Sequence, residues 1–334
     1  MDRGGPDRPG RLLSAGVDRP DPRGVALTLL AAVTFGSLGV IARLAADAGL
    51  GTLGFVTWRS VAGFATLALV LVVGLPLGRV ALPRPGSVTA RQRRLIVITG
   101  IVNMLTNVFI FAAYGTTAVA IVVIVLYSYP ALVAIGANRL WGEPIDRTRG
   151  GALILASAGL ILVVLGPVLG GSGIQVAPLG LVLAAGGAVL QAIYTLMAAR
   201  GFPAIPSFLG ATLILGVVVV GNVVVTLLVG AGAQLQAPLD TPGLWSWVLL
   251  AGVIGAAVPG VALMMGIRSV GPSRAAILMM LEPVTAVVAA AIFLGESPSA
   301  IQVVGGLMVV VAGVILQLPQ RRPDVRPRGS VAAG

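Results

Sequence analysis

Ten apolar runs follow one another along the chain, at residues 24–46, 54–74, 95–114, 118–138, 150–166, 178–199, 207–230, 244–267, 274–294 and 300–318. A helix of about 20 apolar residues, rising 1.5 Å per residue, matches the ~30 Å hydrocarbon core of a bilayer. The pattern predicts an all-α integral membrane protein with ten transmembrane helices. Residues 1–23 hold five Arg and four Asp without apolar periodicity and are expected to be a disordered tail; 319–334 is similarly polar and loose. No small-residue cleavage site follows the first run at a signal peptide's usual distance, so that run is expected to be retained as a span.

Composition supports the bilayer as solvent. The 334 residues are 57% hydrophobic and 10% charged, where a soluble chain would carry roughly 25% charged residues. All 22 basic residues are Arg, and the heavy Ala, Gly, Val, Leu and Pro usage resembles the output of a GC-rich bacterial genome, which points to a bacterial cell (inner) membrane. The net charge of +11 does not predict nucleic-acid binding, because the arginines sit in short loops and tails between apolar runs. They are a topology signal. With ten spans, 20 of the 22 fall on one side: the N-terminal tail, 75–94, 139–149, Arg200, Arg268, Arg274 and the C-terminal tail. The alternate connections, near 47–53, 115–117, 167–177, 231–243 and 295–299, hold none. The positive-inside rule then predicts both termini in the cytoplasm.

The two halves repeat. Pro130 leads to Trp141-Gly142-Glu143, and Pro283 leads at the same spacing to Leu294-Gly295-Glu296. Gly150-Gly151 and Gly305-Gly306 follow with a two-residue slip. Five spans are an odd number of crossings, so the second copy, 178–318, must be inserted upside down relative to the first, 24–166. Inverted five-helix repeats are a design of secondary transporters, where pseudo-symmetry supplies two exchangeable access states.

Thr34-Phe35-Gly36-Ser37 with Arg43 in span one, Arg59 in span two, and Ala276 to Pro283 followed by Leu294-Gly295-Glu296 resemble EamA-type transporters of the drug/metabolite transporter superfamily. The resemblance covers residues 24–318. It implies a central cavity lined by spans 1–4 and 6–9, with spans 5 and 10 at the periphery. It also implies movement of amino acids, amines or other metabolites, export being the commoner habit. One departure stands out: the first repeat has Tyr129 where the second has Glu282.

The inventory for chemistry is narrow. Absence of Cys excludes disulfides and thiolate nucleophiles, and absence of His removes the commonest metal ligand. No cofactor or metal site is expected. Glu282, about eight residues or roughly 12 Å into span nine, is the most informative side chain. A carboxylate at that depth costs about 2.5–3.5 kcal/mol on insertion scales, so it should face a cavity or a partner. It is a candidate proton or amine site, or else a structural anchor. Pro283 beside it is expected to free a carbonyl near Met279 as a second ligand. Arg59 either snorkels to the interface, pairs with Glu282, or meets a substrate carboxylate; Arg43 is expected to snorkel. Polar groups recur at helical spacing as cavity lining or interhelical glue. Tyr129, Asn107, Gln191 and Tyr194 are the favoured lining residues, and Asn222 and Thr226 form another such pair. Small-residue stripes, Gly180 to Ala192 and Gly252-Ala256-Gly260, are expected to be packing faces. Pro130, Pro259 and Pro283 mark kinks that are either gating points or static bends.

These features predict a secondary active transporter of a small metabolite such as an amino acid or amine, working by alternating access with proton coupling as one option. The partners expected are the small-molecule substrate and the lipid bilayer, with a homodimer left open. The alternatives are an integral membrane lipid-modifying enzyme, which would want interfacial His, Asp or Cys clusters, and a non-transporting scaffold, which would not need a buried carboxylate. No cytoplasmic segment is long enough for a nucleotide-binding domain.

Overall fold

The computed structural model describes residues 21–165 and 177–317. The tails expected to be disordered lie almost wholly outside them, as does most of the link between the halves. The first half contains α1 (Pro22–Asp47), α2 (Thr52–Gly74), α3 (Ala90–Tyr114), α4 (Val119–Leu126), α5 (Tyr129–Trp141) and α6 (Arg147–Leu165). The second contains α7 (Pro178–Arg200), α8 (Ser207–Leu228), α9 (Ala233–Asp240), α10 (Leu244–Gly252), α11 (Val258–Val270), α12 (Pro272–Leu278), α13 (Leu281–Leu294) and α14 (Ala300–Ile315). Among the described residues, nine helical stretches are long and apolar enough to cross a membrane, and α14 is a shorter apolar helix that completes ten.

Three spans are not single helices. Span four breaks at Tyr127–Ser128 into α4 and α5, and span nine breaks at Met279–Met280 into α12 and α13. Span eight passes through a π-helical turn, Val253–Ala257, between α10 and α11. Each interruption lies just ahead of a proline: Pro130, Pro283 and Pro259 respectively. The cause is common to all three. Proline lacks an N–H and its ring crowds the carbonyl four residues earlier, so the helix ladder must open before it. The N-terminus of α3 also differs from the hydropathy boundary. Thr89 caps it by accepting from Gln92 N at 3.2 Å, so Arg91, Arg93 and Arg94 ride on the first turns instead of a loop.

The halves interlock. Helix α1 packs on α11 and α13 of the second half, while α7 packs on α3, α4 and α5 of the first. Helix α2 faces α8, and α6 faces α14. Exchanging the halves exchanges these contacts, as an inverted repeat requires. At the α6–α14 seam Gly159 and Gly305 face each other: a Cβ on either would meet the other's carbonyl oxygen at 2.5 Å. Glycine permits this backbone approach, which substitutes for the hydrophobic driving force absent between helices in lipid. Polar pairs tie α2 to α8, with Thr57 Oγ1 and Thr226 Oγ1 at 2.9 Å and Asn222 Nδ2 donating to Ser60 Oγ at 2.8 Å. Asn222 and Thr226 are therefore glue. Of the small-residue stripes, Ala184, Ala188 and Ala192 are buried and packed. Gly260 departs from expectation, since it faces open space in the cavity wall.

Candidate functional site

A cavity of about 1080 Å3 lies between the halves. Its wall includes Thr52, Val119 and Glu296 to Ser299, so it opens toward the end where the connections hold no arginine. The opposite, arginine-rich end is sealed. All seven residues of α12 are buried there, and the Tyr194, Phe202, Met264, Ile267 and Met279 side chains pack as one cluster. Arg268 adds a polar clasp, donating from Nε to Ala198 O (3.1 Å) and from Nη1 to Ile205 O (2.7 Å). Ser269 on the same helix donates to the carboxylate of Asp21, the N-cap of α1.

Glu282 is the second residue of α13 and lines the cavity. The break at Met279–Met280 gives the second half of span nine its own N-terminus deep in the fold. A first-turn carboxylate there meets the positive end of the helix dipole. Helix α1 comes close at this point: a Cβ on Gly36 would lie 2.5 Å from the Glu282 carbonyl oxygen. The Thr34–Ser37 segment thus owes its glycine to contact with the acid's own backbone. The Tyr127 hydroxyl lies near the Glu282 carboxyl, and both side chains line the cavity. The expected second ligand is absent: the Met279 carbonyl accepts the Glu282 N–H at 3.0 Å, because the chain tightens into a three-residue turn at the break.

Arg59 also lines the cavity. It does not snorkel, and among the described residues no ion pair joins it to Glu282. Its Nη1 donates to Gly255 O at 2.8 Å. That carbonyl belongs to the π turn and lies four residues before Pro259, whose missing N–H cannot serve it. Arg59 is thereby fixed at one corner, while its buried Nε has no hydrogen-bond partner. Thr57 and Ser60 on either side are hydrogen-bonded to α8, and Val56 and Ser60 line the cavity beside Arg59.

The structure brings Glu282, Arg59, Tyr129, Asn107, Gln191 and Tyr194 onto one cavity wall, together with Pro283. Pro130 and Pro259 do not line it; they act as breaks behind it. Asn107 spends an amide donor on Asn103 O at 2.8 Å within α3. Tyr194 lies at the sealed end, near Arg268. Tyr127 is the residue that sequence reasoning passed over in favour of Tyr129. Two residues apart on a continuous helix, their side chains would point about 200° apart. The break after Leu126 lets both face the cavity, their ring centroids 5.9 Å apart. The wall also takes Val163 and Val164 from α6 and Gln302 from α14, so spans five and ten are not wholly peripheral. Arg43 reaches the connection after α13, where it pairs with Glu296 at 2.9 Å; both are exposed, so the pair adds little stability. Glu143, at the equivalent position of the first repeat, pairs with Arg149 at 2.8 Å at the other end.

Two interlocked five-span halves enclosing a cavity with a carboxylate on its wall define a multi-pass membrane transporter. The chain belongs to the EamA-like transporter family, whose model matches residues 22–165 and 178–318, one repeat each. It is 36% identical over 74 residues to an uncharacterized transporter of Archaeoglobus fulgidus; that match spans 22% of this chain and 27% of the archaeal protein. A protein of known crystal structure shares the fold, with a TM-score of 0.67 over 87% of this chain and 95% of its own length at 16% identity.

Proposed function

We propose that the protein is a secondary active transporter that exports an amine-bearing metabolite, such as an amino acid or amine, by alternating access. The observation that carries this reading is the placement of Glu282: a membrane-embedded carboxylate at the head of a half-helix, accessible from one end of the cavity only. A substrate ammonium and a proton compete for that carboxylate, which couples their movements. Arg59, with donor capacity left over, takes a substrate carboxylate when there is one. Tyr127, Tyr129, Asn107 and Gln191 replace hydration around the bound molecule, and Tyr194 lines the seal beneath it. The arginine-rich end is cytoplasmic, putting both termini inside and the open mouth outside in a bacterial cell (inner) membrane.

The test is flux in proteoliposomes, with a panel of amino acids and amines, for the wild type and Glu282→Gln. The wild type should move at least one amine-bearing solute with a rate that depends on pH. The variant should lose coupled flux and its pH dependence. Unchanged flux with an unchanged pH profile would remove Glu282 from the mechanism.

A further inference from the structure

A second, smaller slot adjoins the cavity. Between α6, α13 and α14 lies a slot of about 210 Å3 that shares Val163, Val287, Pro298 and Gln302 with the main cavity wall. The rest of its lining is aliphatic. Gln302, its polar side chain, is turned into the cap of α14, where its Oε1 accepts from Ser299 N at 2.9 Å. The slot follows from unequal packing. The Gly159–Gly305 contact draws α14 onto α6, and α13 stands off from both, with only Ala289 buried along its 14 residues. The outer rim, Val288, Val303 and Leu307, is 51%, 50% and 59% exposed. In a membrane protein that rim faces hydrocarbon.

One helix connects slot and carboxylate. Val287 is five residues beyond Glu282 on α13, about 7.5 Å along its axis. A narrow aliphatic space offers water no partners, and a polar substrate group would lose its hydration there without replacement. An unbranched hydrocarbon chain has neither problem. We infer that the slot binds the alkyl tail of an amphiphilic amine whose head group sits at Glu282. The inference rests on the reading of Glu282 given above. It narrows the substrate class to amines bearing a linear apolar tail.

The test measures binding of n-alkylamines, from ethylamine to decylamine, to the protein in nanodiscs. Affinity should climb with chain length by up to about fourfold per methylene that enters the slot. Val303→Trp and Leu307→Trp, each filling the slot from its lipid-facing rim, should flatten that climb. In the unmutated protein, decylamine with a terminal diazirine should label residues within 284–288 and 303–310. A climb that persists unchanged in both variants, or label confined to other helices, overturns the proposal. So does labelling of the slot by a diazirine-tailed phosphatidylcholine that excess decylamine fails to displace, since the occupant is then a bilayer lipid. Glu282→Gln should weaken ethylamine and decylamine alike. If ethylamine binding survives that change, the head-group reading itself has failed, whatever the dependence on chain length.

Discussion

Glu282 is constrained from three sides: by the start of α13, by the Tyr127 hydroxyl, and by the close passage of Gly36 on α1. Each constraint has a separable consequence. Tyr127→Phe deletes the hydroxyl and keeps the ring. If the hydroxyl replaces substrate hydration as proposed, losing one such bond of about 1 kcal/mol should weaken substrate binding roughly fivefold, measurable by titration, and Tyr129→Phe should cost less. Gly36→Val would drive side-chain atoms into the Glu282 carbonyl and Thr285. Overpacking of this kind costs about 1–3 kcal/mol and should lower the thermal midpoint in detergent. The acid itself was legible in the sequence, because a lone carboxylate inside a long apolar run needs a reason. Its partner was not. Tyr129 is the residue the repeat sets against Glu282, and no hydropathy pattern reports where a helix breaks and re-aims its side chains.

The interrupted spans belong to the scale of elements. The three prolines announced discontinuities, but their form differs: two clean breaks and one π turn. The π turn matters for Arg59, which holds the carbonyl left over at Gly255. Pro259→Ala would return a backbone N–H to that carbonyl in competition with the guanidinium. Substrates carrying a carboxylate should then bind more weakly than before, while simple amines change less, which a comparison of an amino acid with its decarboxylated amine would reveal. At the arginine-rich end, Asp21 ties α1 to α11. The hydrogen bond from Ser269, followed by that from the Arg23 backbone, holds its carboxyl below its ordinary value of 3.8. A depressed carboxyl contributes at neutral pH and loses that contribution as pH falls through its folded-state value. Thermal melts should therefore fall off more steeply in acid for the wild type than for Ser269→Ala. Neither tie could be read beforehand, since both join residues far apart in the chain.

At the scale of the molecule, the span count, the inversion of the halves and the segregation of arginine were all present in one dimension. They depend on length, parity and charge, which the chain carries locally. Which end of the cavity stands open, and that α6 and α14 contribute to its wall, depend on packing between the halves and had no local signal. The absence of cysteine makes the access state directly measurable. Single cysteines introduced at Ala120, in the open wall, and at Ala275, buried in the seal, would report on opposite ends of one pathway. With a membrane-impermeant thiol reagent applied from either side, Ala120→Cys should react from the arginine-poor side and Ala275→Cys should be protected. Adding a transported amine under turnover should slow the first reaction and expose Ala275→Cys to the arginine-rich side. Reciprocal change is what alternating access predicts; two sites that react together, or that ignore substrate, would contradict it.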